Sequence, residues 1–180
     1  MTPETPLHYV YVIDGSDQIT FVSPEWLHFA ESNEAPELTE AHVVGKPIWH
    51  FITGEEARIL YSNIYSNLRS RRSGMTIPFR CDAPTEIRHM MLTLHLLGAG
   101  AIECEGRVVR TEARESVTLL SRGAARSNQA IPICSLCRSL SVRGEWLEVR
   151  AAIVRKRLFA VPLVPRLEET VCPDCKSLGA

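Results

Sequence analysis

Two cysteine pairs near the C-terminus constrain most strongly what this chain can fold into. Cys134 and Cys137 form the first pair, Cys172 and Cys175 form the second, and 34 residues separate the pairs. Two residues between cysteines let both thiolates reach one cation from a tight turn, and zinc prefers four ligands in a tetrahedron. The spacing predicts a structural zinc site of four thiolates, with a folded insert that brings the two turns together.

Other chemistry at these cysteines stays open at the level of sequence. A redox-switched thiol pair, a zinc site that releases its metal on oxidation, iron, or no metal are the alternatives. Covalent haem attachment is disfavoured, because Arg138 and Lys176 stand where a haem-ligating histidine would follow each pair. Residues 131–180 are too few to bury a large core, so a metal would be a plausible source of stability for this four-cysteine module.

Composition points to a soluble protein without a strongly charged partner. Of the 180 residues, 45% are hydrophobic and 23% are charged, and the net charge is −1. This balance predicts no electrostatic attachment of the whole chain to nucleic acid or a membrane. We see neither a signal peptide nor an apolar run of about 18 residues, the length that a membrane span needs. The expectation is therefore a cytoplasmic protein with reduced thiols, which favours metal ligation over disulfides.

The first 120 residues show strands, then helices, then strands. Residues 8–14 and the segment ITFVS predict two strands joined by a hairpin turn at Asp14-Gly15. Ser23 and Pro24 predict the start of a short helix. A long helix is expected over residues 55–72, with a capping box from Thr53 and a stop at Gly74.

Further strands are expected after the long helix. MTIPFRCD and RHMMLTLHLL predict two, and a third lies in AIECEGRVVR or SVTLL. In RHMMLTLHLL, Met90, Leu92 and Leu94 share one face, so His89 and His95 should point away from the core. Residues 121–130 have little apolar content and read as a linker. The predicted class is α+β, with helices on one face of an antiparallel sheet.

This order resembles the PAS sensor domain family over residues 8–120. The segments YVIDGSDQITFVSPEWLHFA and VVGKPIWHFI carry the resemblance. It implies a five-stranded antiparallel sheet with helices that enclose a pocket, and a domain that senses a ligand, a cofactor or a redox state or serves in dimerisation. The tail, ICSLCRS…GEW…VCPDC, resembles a zinc-ribbon-like segment of some bacterial PAS-containing signalling proteins. A histidine often precedes the last pair there, whereas Glu169-Thr170-Val171 stands here.

The resemblance also frames which cofactors the predicted pocket could hold. Light-sensing relatives carry a reactive cysteine in a helical Asn-Cys-Arg-Phe-Leu-like motif, and WHFITGEE has no cysteine, which argues against covalent flavin. Haem stays open, since His42 or His50 could serve as an axial ligand in the pocket, although solvent-facing histidines are the simpler interpretation. Cys81 and Cys104 are expected to be free thiols on strands.

Three function hypotheses follow, none of them enzymatic, because no phosphate loop or nucleophile motif is present. The first is a cytosolic sensor or adaptor that passes a small-ligand or redox signal to a protein partner, with a homodimer expected. The second is a transcriptional regulator whose basic residues in the tail bind nucleic acid; a solvated basic face is the simpler interpretation of that cluster. The third is a structural dimerisation protein without a ligand. The basic residues concerned are Arg150, Arg155, Lys156 and Arg157.

Overall fold

A five-stranded antiparallel sheet forms the first part of the chain in the computed structural model, which describes residues 8–158 and 162–179. Its strand order is β2-β1-β5-β4-β3. The strands are β1 (His8–Ile13), β2 (Ile19–Val22), β3 (Met75–Arg80), β4 (Glu86–Leu96) and β5 (Ile102–Ala113). The helices between β2 and β3 are α1 (Pro24–Ser32), α2 (Glu40–Val43), a 3₁₀ turn (Ile48–His50) and α3 (Glu55–Arg71). The predicted α+β class and PAS-like sheet are confirmed.

The hairpin and the first helix form where the sequence predicts them. β1 pairs with β2 in antiparallel register, and Asp14 accepts hydrogen bonds from the backbone of Ser16 and Gln18 in the turn. Ser23 caps α1, because its hydroxyl oxygen accepts a hydrogen bond from the Trp26 amide at 3.2 Å. This local chemistry fixes where the chain leaves the sheet and enters the helical layer.

The long helix α3 matches its predicted length, but both of its ends differ from the prediction. Its N-cap is Gly54 rather than Thr53, and no side chain caps it, so the predicted capping box does not form. Its C-cap is Arg72 in the left-handed conformation, with its amide bonded to the Leu68 carbonyl, rather than a stop at Gly74. Ala57, Leu60, Ile64, Tyr65 and Leu68 form the buried face. The apolar periodicity thus predicted the body of the helix better than its caps.

The strand that follows divides its two faces as the alternation predicts. Met90, Leu92 and Leu94 are buried, while His95 is exposed and His89 is half-buried beside Glu112. The third predicted strand is a single long one, β5, and SVTLL contains a 3₁₀ turn instead. Cys104 lies on β5 and is buried, and Cys81 follows β3 and is half-buried.

A second sheet of four strands, in the order β8-β7-β6-β9, forms most of the tail. Its elements are β6 (Arg126–Cys134), β7 (Leu140–Val142), β8 (Glu145–Leu147), α4 (Val149–Lys156), β9 (Val164–Thr170) and α5 (Pro173–Lys176). Because β6 begins at Arg126, the second half of the predicted linker 121–130 is a strand, which is a correction. This end of β6 is largely exposed, so its residues are polar and resemble those of a linker. Residues 159–161 and 180 of the predicted module 131–180 lie outside the described residues.

The two sheets have cores that do not follow the predicted boundary at residue 120. Val117, Leu119 and Leu120 pack with the tail, in a core that includes residues of β6, β7, α4 and β9. Conversely, the cysteine turns belong to the core of the first sheet and α3. The tail residues in that first core are Cys134, Leu136, Val171, Cys172 and Cys175, with Trp146 packed against it. The cysteine turns therefore pack directly against the PAS-like domain.

The buried thiol of Cys104 predicts a loss of stability in alkali. Burial raises its pKa to about 12, and burial also raises the pKa of Tyr61 to about 12. An unfolded thiol titrates near pH 8.5, so the folded state holds this proton more tightly than the unfolded state does. The resulting stabilisation is fully present below pH 8.5 and is lost as the pH rises towards 12. We expect the free energy of unfolding, measured in urea, to fall between about pH 9 and 12.

The Cys104→Ala variant isolates the thiol from the tyrosines. Above pH 9 its unfolding free energy should fall less steeply with pH than that of the wild type. The two slopes should differ by up to about 1.4 kcal/mol per pH unit, because the variant has one titrating group fewer. At pH 7 to 8 the difference between the two proteins should be constant, which serves as the internal control. Equal slopes above pH 9 would show that Cys104 does not titrate as a buried thiol.

Candidate metal centre

Two parallel strands bring the cysteine pairs to the same edge of the second sheet. β6 ends at Cys134, and β9 ends two residues before Cys172. The strands pair in parallel, with Cys134 opposite Thr170. Parallel neighbours need a crossover connection, and the insert between the pairs supplies it with β7, β8 and α4. The long spacing between the cysteine pairs is thus the length of this crossover.

The four sulfur atoms lie within 4.8 Å of one another. The Sγ atoms of Cys137 and Cys172 are 3.7 Å apart. Two sulfurs bound to one tetrahedral zinc at 2.3 Å lie about 3.8 Å apart, so this separation fits the ion. It is too long for a disulfide, and all four cysteines are free thiols. Cys134, Cys137, Cys172 and Cys175 could together hold a metal ion.

Each turn is closed by its own backbone hydrogen bonds. In the first, the Cys134 amide donates to the Ser139 carbonyl at 2.8 Å, and the Arg138 amide donates to the Cys134 carbonyl at 3.0 Å. In the second, the Cys175 amide donates to the Cys172 carbonyl at 3.1 Å. Pro173 occupies the first position of α5, where a missing N–H costs nothing. The backbone of each turn is therefore supported by hydrogen bonds of its own.

The environment of the thiols favours negative charge on one sulfur, that of Cys137, while the pKa values of Cys134 and Cys175 are raised. A hydrogen bond from Cys134 lowers the pKa of Cys137, and Ser139 adds to this effect with its hydroxyl 3.3 Å from the Cys137 sulfur. The Cys172 amide also donates to the Cys134 sulfur at 3.4 Å. Burial raises the pKa of Cys175. One thiolate is thus already favoured, and a bound cation would favour the deprotonation of the others.

The end of β9 and the second cysteine turn contact the start of α3. A β-carbon at Gly54 would lie 2.9 Å from the carbonyl carbon of Glu169, and still closer to its oxygen. Lys176 forms an ion pair with Glu56 at 2.8 Å. The Arg80 amide at the end of β3 donates to the Leu136 carbonyl, within the first cysteine turn, at 2.6 Å. Both turns are therefore docked on elements of the PAS-like domain.

The two histidines considered as pocket ligands lie on the surface. His42 is exposed on α2 with its ring centroid 6.3 Å from that of Phe51, and His50 is exposed at the end of a 3₁₀ turn. The hypothesis that either is an axial ligand inside a pocket finds no support in these positions. Trp49 instead packs on Tyr65 inside the domain, with ring centroids 5.8 Å apart.

A buried ionic network at the junction of the two sheets was not predicted. The Asp82 side chain is fully buried and accepts hydrogen bonds from Arg80 and from Arg114, the latter at 3.2 Å. Arg80 also pairs with Glu148, the exposed residue that immediately precedes α4. These residues are up to 68 positions apart in sequence. No local pattern reveals such a network, because the strand ends that hold it meet only in the folded chain.

The basic cluster of the tail lies on and just after α4. Its four residues are exposed. Arg150 forms an ion pair with Glu115 at 2.8 Å, and Arg155 forms one with Glu145. Half of the cluster is thus already paired with acidic groups, which weakens it as a surface for phosphate groups.

Comparison with known proteins finds matches among solved structures. No family model and no curated protein matches the chain. Among solved structures, the PAS domain of the RpfR quorum-sensing receptor of Cronobacter turicensis, in complex with C12:0 or with BDSF, is 14% identical with a TM-score of 0.43 over 61% of this chain and 100% of that one. A domain of an HTR-like protein from Haloarcula marismortui ATCC 43049 is 11% identical, with a TM-score of 0.42 over 57% of this chain and 98% of that one.

Among the described residues, none of the helices has the length and apolar character required to cross a bilayer. The strand order of the first sheet and the helical layer between β2 and β3 agree with the resemblance that the sequence showed. The first part of this chain is therefore similar in fold to PAS domains, and a cluster of four cysteines follows it.

Proposed function

We propose that this chain is a cytosolic, non-enzymatic PAS-type sensor or adaptor whose tail is held in place by one structural zinc ion. Cys134, Cys137, Cys172 and Cys175 would bind the ion, which supplies a fixed tetrahedral crosslink between the two turns. The observation that carries the proposal is that these cysteines pack in the core of the PAS-like domain. A change inside that domain can therefore reach the tail through direct contacts.

The output in this proposal is a protein partner that recognises the tail or its position, and the sensor acts as a homodimer. A ligand that binds better to one arrangement of domain and tail would shift the population towards it. The contacts of Gly54 with Glu169 and of Glu56 with Lys176 are the ones that such a shift would change. The nucleic-acid hypothesis is less well supported, because Arg150 and Arg155 are paired with acidic residues.

Metal analysis and an absorption spectrum of the protein purified without a histidine tag test the cofactor part of the proposal. We expect about one equivalent of zinc per chain, bound by four thiolates, with no absorption in the visible range. A Soret band, a flavin spectrum or bound iron would contradict it. The Cys172→Ser variant should lose the zinc, and the Cys81→Ser variant, in which the altered cysteine lies outside the cluster, should keep it.

Light scattering and hydrogen exchange test the remaining part. The zinc-bound protein should be a dimer in light scattering, and a monomer would remove the homodimer from the proposal. Hydrogen exchange of α5 and β9 should differ between zinc-bound protein and the Cys172→Ser variant, and so should exchange at the first turn of α3. Unchanged exchange at α3 would show that the tail does not communicate with the domain.

A further inference from the structure

A cavity of about 760 Å³ lies where the PAS-like domain meets the first cysteine turn. Its walls come from the end of α1, from β3 and β4 with the loop between them, and from the cysteine turn. Phe79 and Tyr61 supply apolar surface, and Arg88 and Arg138 supply charge. A volume of this size is in the range of sites for small organic molecules.

The arginines around the cavity offer donors to an anion, while the acidic groups there are already engaged. Four arginines and three acidic residues line it, and Glu148 and Glu169 beside the lining pair with two of these arginines. Asp82 and Glu86 in the lining also accept hydrogen bonds from arginines. Because the charges are close to balance, a ligand with one negative charge and an apolar body suits the cavity better than a phosphate dianion.

Arg138 provides an unused donor at this place. Its Nη1 donates to Glu169 at 2.9 Å, and the other oxygen of Glu169 accepts from the Ser135 hydroxyl at 2.8 Å, so the side chain is held in position. Its Nε is buried and has no hydrogen-bond partner among residues 8–158 and 162–179. Buried donors in native proteins are nearly always satisfied. This atom has almost no accessible surface, so an acceptor atom of a ligand would reach it only after the Arg138 side chain shifts.

Arg88 lies on another wall of the cavity and has N–H donors that its contacts do not use. Its Nε donates to Glu86, one Nη donates to Asn33, and its guanidinium lies over the Phe29 ring at 5.7 Å from the centroid. A guanidinium has five N–H donors, more than these contacts use. Arg88 and Arg138 line the same cavity, together with the half-buried Cys81, so the two cations border a common space.

From these observations we propose that the cavity binds a small carboxylate with an apolar body, held by Arg88 and Arg138 with its apolar part against Phe79 and Tyr61. Guanidinium groups bind carboxylates through parallel hydrogen bonds. The inference rests on the proposed sensor function and names the ligand class for it. Since Arg138 directly follows Cys137, a bound carboxylate would contact the metal-binding turn and the sheet at once.

Calorimetric titration of the zinc-bound full chain with phenylacetate tests the proposal. We expect saturable binding below about 10 mM, and binding of the neutral phenylacetamide at least tenfold weaker, which corresponds to roughly 1.4 kcal/mol. Inorganic phosphate should bind more weakly than phenylacetate. Absence of binding by both phenylacetate and hexanoate up to about 10 mM would overturn the proposal, and so would equal binding of the amide or tighter binding of phosphate.

Two variants assign the site, and one controls for backbone effects. Arg138→Gln and Arg88→Gln should each weaken phenylacetate binding about tenfold or more. Arg143→Gln is the matched control, because Arg143 has the same left-handed backbone as Arg138, with φ of 56° against 62°, but is exposed in the β7–β8 turn. Wild-type affinity in both Arg138→Gln and Arg88→Gln would overturn the assignment. If one variant fails to fold, the other decides.

Zinc content and hydrogen exchange separate this inference from the proposed function. A protein that holds zinc and couples its tail to α3, but does not bind phenylacetate, would overturn the carboxylate site alone. A protein that binds phenylacetate through Arg138 but holds no zinc would overturn the zinc part of the proposed function alone. Bound phenylacetate should also slow hydrogen exchange in residues 134–139, and no slowing there would contradict contact with the turn.

Discussion

Loss of the metal is expected to destabilise the whole chain, including the five-stranded sheet. Cys134, Cys172 and Cys175 are buried in the core that contains α3 and β5. Without an ion, three or four thiols must be packed there without the crosslink that joins the two turns. Loss of a structural metal is among the few changes that cost several kcal/mol. We expect the Cys172→Ser variant to lose roughly 4 kcal/mol or more of unfolding free energy.

Calorimetry of the zinc-bound and chelator-treated proteins measures this effect. A loss of that size in a chain of this length lowers the unfolding temperature by roughly 10 °C. Both should unfold in a single transition if the tail and the domain form one cooperative unit. Cys81→Ser is the matched control, because Cys81 is half-buried but outside the cluster, and it should cost about 1 kcal/mol.

The result that would contradict this expectation is a separate, low-temperature transition of the tail. In that case chelation would melt the second sheet and leave the transition of the first sheet in place. Such an outcome would mean that the contacts between α3 and the cysteine turns contribute little free energy. The tail would then be an independent module, and the zinc would stabilise the tail alone.

The sequence predicted those features that depend on neighbouring residues. The hairpin, the cap by Ser23 and the apolar face of α3 follow from local chemistry, and the structure has them. The four cysteines were identified by their spacing alone, since a short repeat is enough to mark a ligand pair. The insert between the pairs was expected to fold, and it does.

Features that depend on contacts between distant residues could not be predicted from the sequence. Gly54 caps α3 because the chain there passes against Glu169, which is 115 positions later. The start of β6 was not recognised in a polar segment, because this strand forms through its pairing with β9 and not through an apolar composition. The network around Asp82 and the cavity beside Arg138 also assemble from separated segments. Each needs the fold to be known first, since no local signal marks it.

Replacing Gly54 with alanine is expected to separate the tail from α3. The backbone of Gly54 has φ of 85°, where a side chain is strained, and the added β-carbon would collide with the Glu169 carbonyl. The strain and the collision should together cost about 3 kcal/mol or more. Hydrogen exchange should speed up in β9 and α5, which lie beside the contact, and the unfolding free energy should fall.

Gly45→Ala is the control for a positive φ without a collision. Gly45 has nearly the same φ, 79°, but a β-carbon there would meet nothing within 4 Å. It should cost only about 1 to 2 kcal/mol and should leave exchange in β9 and α5 unchanged. The difference between the two variants therefore measures how tightly the tail with its cysteine cluster is held against the PAS-like domain. Equal losses of unfolding free energy in the two variants would mean that the tail moves away from α3 at little cost. A signal could not then pass through this contact.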